Sequence, residues 1–443
     1  MPFIDIGALE DKSFVEFTMR DDFSFPVFVG YELMNTKSGI KGIDPNKRIA
    51  GQLTRSHGAT YLDLADAPEK KMYQHNDGIT YNNNDRVISN GDTNNWYATS
   101  WDGSRLFILR KFFNIDSKMH FAYNHFSEET TKWLITDFEM VSQFMLTDEV
   151  YQAKLYMDHI FSWFRVYNPN QDLSKVNSIE YNDLIFQEKK LKILVRGEGN
   201  QKQEIHSIIK TVNLTMCLLF EDSKNRQYIY QIAVALRNMF QIIINKRIGI
   251  SRIILNRING DKLIQSDERE NWFIEQSYLP EESKEIISDV GIPYASISSN
   301  FNTILKQYLE DEKLQNLVNS FLLVDQFQIP IATAIITLVS GIETYYNQTK
   351  YKNGKTIGNA HKKLQRFLAL LDNSSEIVQQ EIPNLTVDEL ITRMRDSRDY
   401  FIHGDKADRF VSEAELVPYL IVFKKLYQQI LAKLIVLDVK KNN

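Results

Sequence analysis

The stretch Arg398-Asp399-Tyr400-Phe401-Ile402-His403-Gly404 closes the most sharply bounded helical pattern in the chain. The pattern opens at Thr386, with Glu389 three residues later, the spacing of a capping box. Leu390, Met394, Phe401 and Ile402 supply an apolar face. Gly404 is the residue type that accepts the left-handed conformation past a helix end, which puts His403 on the last turn. On a straight helix Arg398 and His403 lie about 140° apart. Asp399 shares a face with His403 and with Arg395, each four residues away. If the helix stops at His403, the imidazole can turn back and the long Arg398 side chain can reach the same point. A fixed cation, a carboxylate and a group that holds or releases a proton near neutral pH would then surround one spot, as general acid–base chemistry requires.

Working outward, Phe301 to Phe327 reads as one long helix leading to Pro330, which suits the first turn of the next. Glu343 falls in the largely apolar run Val339 to Tyr346. An acid there is costly unless it meets a cation such as Arg398, or unless it sits on an exposed helix face.

The region 1–170 is mainly strand-like. Phe23 to Val29 opens it, and Ile49 to Leu53 with Thr60 to Leu64 forms a hairpin across Ser56-His57-Gly58. Asn82 to Asn95 reads as a long loop, and Arg105 to Phe113 and Asp137 to Leu146 as further strands of an antiparallel sandwich or barrel. The region 171–300 mixes strand candidates at Leu191 to Val195, Ile208 to Phe220 and Ile248 to Ile258 with a helix over Asn225 to Asn245. A short element is expected at Trp272-Phe273, and the region continues the N-terminal module. Residues 301–443 form a helical linker and a C-terminal helical domain. The fold class is therefore α+β, in several domains.

With 443 residues, 43% hydrophobic and 25% charged, the chain can bury two or three cores. Its single cysteine, Cys217, excludes an intramolecular disulfide and fits a reducing cytoplasm. No signal peptide is legible, and the longest apolar segment, Ile329 to Ile342, is too short to cross a bilayer. A net charge of −5 argues against a generic nucleic-acid coat. The segment from Ile329 to Asn443 carries 16 Lys/Arg against 13 Asp/Glu, a mildly basic end on an acidic body.

The eight histidines form no zinc-ligand spacing, and there is no P-loop and no nucleophile elbow, so no cofactor or metal is expected. Gly354-Lys355-Thr356 reads as a turn, and His57, His75 and His125 are assigned no role. Trp96 and Trp101, with Asn94, Asn95, Tyr97 and Arg105 beside them, are either a stacking surface for a ligand or packing at a sheet edge.

The stretch Arg398 to His403 resembles the Arg-X4–6-His motif of HEPN domains, a family of four-helix bundles. Ile331 to Tyr346, with its Ser340-Gly341-Ile342-Glu343 signature, resembles the family's first helix. Ala360 to Leu371 resembles the second and Glu413 to Leu437 the fourth. The upstream half resembles the Apea-like HEPN proteins of bacterial anti-phage systems. That likeness rests on Ile49 to Leu53 leading to Tyr61 to Leu64, and on Phe161-Ser162-Trp163.

The resemblance implies a metal-independent endoribonuclease of abortive infection, in which the RNA 2′-hydroxyl attacks the adjacent phosphate. His403 would move the proton, Arg398 would bind the phosphate bidentately, and Asp399 would orient one of them. Glu343, Tyr400 and Arg395 would support the site. The resemblance further implies a homodimer through the C-terminal bundle and an N-terminal module triggered by a phage-derived protein. The rival is a non-catalytic module that dimerises or binds RNA, with an N-terminal sandwich that senses a ligand, either a protein or a glycan. Convergence of Arg398 and His403 in an open cleft favours the enzyme, whereas burial of either in a private ion pair favours the rival.

Overall fold

The computed structural model describes residues 17–30, 32–35, 41–66, 72–75, 78–81, 95–121, 127–144, 149–164, 178–203, 208–259, 262–263, 269–276, 279–280, 291–347, 358–404 and 412–437. Nearly all of the loop expected at Asn82 to Asn95, the turn expected at Gly354-Lys355-Thr356, and His125 lie outside the described residues.

The strands are β1 (Phe23–Gly30), β2 (Leu33–Asn35), β3 (Lys41–Ile43), β4 (Arg48–Ser56), β5 (Ala59–Leu64), β6 (Met72–His75), β7 (Gly78–Tyr81), β8 (Trp96–Ser100) and β9 (Leu106–Phe121). They continue with β10 (Ser127–Val141), β11 (Val150–Met157), β12 (Ile179–Phe186), β13 (Lys189–Gln203), β14 (Ile208–Lys224), β15 (Ile250–Asn259), β16 (Lys262–Leu263) and β17 (Arg269–Ile274). The order β10-β5-β4-β1-β8-β9 closes on itself, because β9 returns to β10, so these six strands make a barrel. From β10 the same sheet runs on through β17, β15, β11, β14, β13 and β12. The boundary expected at residue 170 therefore falls inside one sheet: β11 pairs with β14 and β15, and β10 with β17.

The β4–β5 hairpin shows how local chemistry sets this register. His57 (φ 52°) and Gly58 (φ 82°) both take positive φ, the geometry of a two-residue type I′ turn, and Ser56 pairs with Ala59. Alternation then turns Thr60, Leu62 and Leu64 into the barrel and leaves Tyr61 and Asp63 outside. Trp96, Phe107 and Trp133 fill the interior, each almost fully buried.

A buried ionic cluster ties the barrel to the outer sheet. Glu139 of β10, with no exposed surface, accepts from Arg110 of β9 at 2.9 Å, Arg226 at 2.7 Å and Arg257 of β15 at 2.9 Å. Arg257 also meets Glu270 of β17 at 2.5 Å. Burial and the neighbouring Glu139 push the Glu270 carboxyl up to about 8 despite Arg257, whereas the three guanidinia hold Glu139 down at about 2.

Helices α1 (Ile160–Phe164) and α2 (Arg226–Ile244) lie within the strand-rich part. The Asn225 side chain caps α2 by accepting from Tyr228 N, and Asn245 ends it in the left-handed region. It is buried nearly all round, because one side packs on β11 and the others on helices of the C-terminal half.

The helices that follow are α3 (Tyr294–Ile297), α4 (Phe301–Glu310), α5 (Glu312–Gln326), α6 (Ile331–Tyr345), α7 (Ala360–Leu368), α8 (Ser374–Glu381), α9 (Val387–His403) and α10 (Glu413–Leu437). Two differences from expectation have local causes. The single helix expected over Phe301 to Phe327 is broken at Asp311, whose backbone (φ −93°, ψ 86°) leaves the helical region. Its side chain then caps α5 by accepting from Leu314 N. An additional helix, α8, follows α7 where the bundle pattern gives a connection. Helix α6 packs against α5, α7, α9 and α10 through Leu338, Val339 and Ile342, and Leu390, Met394, Phe423 and Tyr427 complete that core.

Candidate functional site

The motif helix has the boundaries its sequence dictates. Thr386 Oγ1 accepts from Glu389 N at 3.2 Å and Glu389 Oε2 accepts from Thr386 N at 2.9 Å, closing a capping box. At the other end Gly404 (φ 72°) donates its N–H to Tyr400 O at 2.8 Å, so α9 stops at His403. His403 is exposed. Ile402, expected on the apolar face, is 45% exposed instead, while Leu390 and Met394 are fully buried. Phe401 is half-buried against Tyr400, their ring centroids 5.8 Å apart.

Arg398 is drawn into carboxylates. Its Nη2 is ion-paired with Glu343 Oε1 of α6, and its Nη1 lies 2.8 Å from Asp399 Oδ1. Glu343 thus has the cationic partner that its apolar run requires. Three residues named from the sequence, Glu343, Arg398 and Asp399, meet at one point where α6 and α9 pack together. Their side chains keep 25%, 13% and 19% exposure, so the cluster is paired but open to solvent. Arg398 Nε is buried without a hydrogen-bond partner.

Arg395 is directed elsewhere. Its Nε donates to Asp396 Oδ1 at 2.7 Å and its Nη1 lies 3.4 Å from His361 Nδ1, so it joins α9 to α7 and leaves Asp399 to Arg398. His361 in turn lies 3.0 Å from Asp388 through Nε2. One neighbour lies outside the residues named from the sequence: Lys363 of α7 donates to the Glu343 carbonyl at 3.0 Å. The signal for it is helical phase, since Lys363 stands beside the buried Leu364 on a helix that packs against α6.

Electrostatically, two carboxylates on one guanidinium leave the cluster with an excess of one negative charge. A phosphate can use the Arg398 fork only by displacing a carboxylate oxygen. The five donors of a guanidinium make that exchange geometrically simple. Among the described residues no group of His, Cys, Asp and Glu is arranged to hold a metal ion. No helix of the described residues is long and apolar enough to cross a membrane. No family model, curated protein or solved structure matched the chain.

Proposed function

We propose that the chain is a metal-independent endoribonuclease of the HEPN type, and that its C-terminal helices carry the chemistry. The observation that supports this reading is the convergence of Glu343, Arg398 and Asp399 where α6 meets α9, with His403 exposed on the last turn of the same helix. The RNA 2′-oxygen bonds to the adjacent phosphorus as the P–O5′ bond breaks, leaving a 2′,3′-cyclic phosphate and a 5′-hydroxyl. His403 takes the 2′-hydroxyl proton or returns one to the departing 5′-oxygen, and Arg398 takes two phosphate oxygens as the carboxylates release it. Because the RNA supplies its own nucleophile, a protein nucleophile is not needed and DNA is not cut.

One Arg398 and one His403 make a thin site, and a two-fold pairing of chains would double both. Ile402 of α9 and the i, i+4 pair Val417 and Ile421 of α10 are exposed apolar residues on the two helices that such a pairing would use. The strand-rich part would then sense a trigger, and a phage-derived protein acting in abortive infection is the partner proposed.

The pairing of Arg398 favours a second reading, a non-catalytic module that binds RNA or dimerises, because a guanidinium already engaged with two carboxylates can serve structure alone. Incubation of the purified protein with total cellular RNA in EDTA separates the two. Cleavage leaving 2′,3′-cyclic phosphate ends, and abolished in His403→Ala, is the expected result. Intact RNA at every protein concentration, with RNA still bound, establishes the second reading.

A further inference from the structure

Trp101 is 60% exposed, although an indole left in water forgoes the stabilisation that burial would give it. It is not loose. Its backbone N–H donates to Pro26 O at 3.0 Å, Ser100 N donates to Arg105 O at 2.9 Å, and Gly103 (φ 73°) donates to Ser100 O at 2.8 Å. Asp102 locks the same turn by accepting from Ser100 Oγ at 2.6 Å and from Ser104 N at 3.1 Å, and these bonds hold its carboxyl down at about 2. One face of the indole lies on Phe28, with centroids 5.6 Å apart and planes within 14°. The turn therefore presents a fixed aromatic surface to solvent, already ordered before anything binds.

That surface borders an open cavity of about 570 Å³, within the range of small-ligand sites. Its polar lining includes Gln52, Asp63, Asp116, Lys118 and Lys132. Lys132 lies 3.8 Å from Asp63 and Lys118 lies 3.7 Å from Asp116. Exposed pairs at that separation are weak, so each charged group is readily given up to another hydrogen-bonding partner.

The ligand class follows from this lining. Each lysine is matched by a carboxylate, so there is no positive well for a phosphate. The lining is too polar for a purely apolar ligand, and a closed barrel offers no free edge to a peptide strand. A ring with one C–H face and several hydroxyls satisfies both halves: the C–H face lies on the indole, and the hydroxyls exchange with the Lys–Asp pairs and Gln52. We propose that the barrel carries a binding site for a neutral saccharide, with Trp101 as its stacking platform. The site is independent of the chemistry assigned to α9.

The test is calorimetric titration of the full chain with maltohexaose, cellohexaose, chitohexaose and mannohexaose, with AMP as the anionic aromatic control. At least one saccharide binds with a micromolar to millimolar Kd. Trp101→Ala weakens it about tenfold, Trp101→Phe retains most of the affinity, and AMP does not bind. Since Trp101 projects from the surface, the alanine variant keeps its fold, which circular dichroism checks. The proposal is overturned if none of the four saccharides binds at about 10 mM, if Trp101→Ala binds as tightly as the parent, or if AMP binds in a Trp101-dependent way.

Discussion

Replacing Glu139 with Gln keeps the shape of the side chain and removes only its charge, at the point where barrel, outer sheet and α2 meet. In the parent, Glu139 is fully buried and faces three guanidinia at 2.7–2.9 Å. Breaking a buried ion pair by neutralising one partner typically costs about 3–5 kcal/mol, because the other charge is left without compensation. Here the lower end applies. The Arg226 side chain keeps 16% exposure and can turn to water, and Arg257 still has Glu270, which ionises more readily once Glu139 no longer repels it. A loss of about 3 kcal/mol lowers the thermal midpoint by roughly 3 °C in a chain of 443 residues that unfolds as one unit. Thermal unfolding followed by far-ultraviolet circular dichroism measures it. A midpoint within about 1 °C of the parent refutes the reasoning, and would mean that the cluster is no better than the neutral groups that could replace it.

The same cluster sets a pH dependence. The Glu270 carboxyl is raised to about 8, so the folded chain binds a proton that the unfolded chain has released, and stability falls as pH rises from about 4.5 towards 8. Glu270→Gln removes that slope, and its urea midpoint gains on the parent between about pH 5 and pH 8.5; equal gaps at both pH values contradict the assignment. In the proposed ribonuclease, His403→Ala lowers the cleavage rate about 10²–10⁴-fold with the fold intact, and near-normal cleavage by a folded variant removes His403 from the chemistry. Arg398→Lys keeps the charge but loses the planar fork, and a large loss of activity is expected; parental activity would mean that a point charge suffices. Light scattering should give a dimer mass for the active protein, and a strict monomer cleaving at full rate excludes a shared site.

The features legible in the sequence are those that short-range chemistry decides. The β4–β5 hairpin is written in His57-Gly58 and the alternation after it, α2 in its period and its two asparagine caps, and α9 in Thr386, Glu389 and Gly404. Sandwich and barrel are not distinguishable from the strand patterns, because closure depends on β9 and β10 pairing along most of their length and on β5 reaching β10. No local pattern records such pairings. The break at Asp311 is hidden because apolar spacing continues through it. Trp96 and Trp101 look alike in sequence but part company in the fold, since one points into the barrel and the other tops a turn at its surface. At the site, the meeting of Glu343 with Arg398 is legible as a cost argument. The capture of Arg395 by the adjacent Asp396 is not, because helical spacing favours Asp399 and only the path of a flexible side chain decides otherwise.

If the chain is the ribonuclease proposed above, the energy of the Arg398 cluster bears on how it is restrained. Ion pairs that keep 13–25% exposure are screened by water and contribute about 0–1 kcal/mol each. Two of them raise the free energy of phosphate capture by about 2 kcal/mol at most, a factor of up to roughly 30 in occupancy. A nuclease that must be silent until triggered needs far more than that, so Glu343 and Asp399 act on this proposal as a holder that positions the guanidinium between turnovers. The restraint has to come from stronger interactions elsewhere in the molecule. The candidates are the pairing of two copies, which completes or withholds the second Arg398 and His403, and the packing of α2 between the outer sheet and α5 and α10, which puts the strand-rich part in direct contact with the C-terminal helices. Glu343→Gln distinguishes holder from lock: loss of activity means that positioning matters more than restraint, whereas a toxic gain means that the pair itself is the lock.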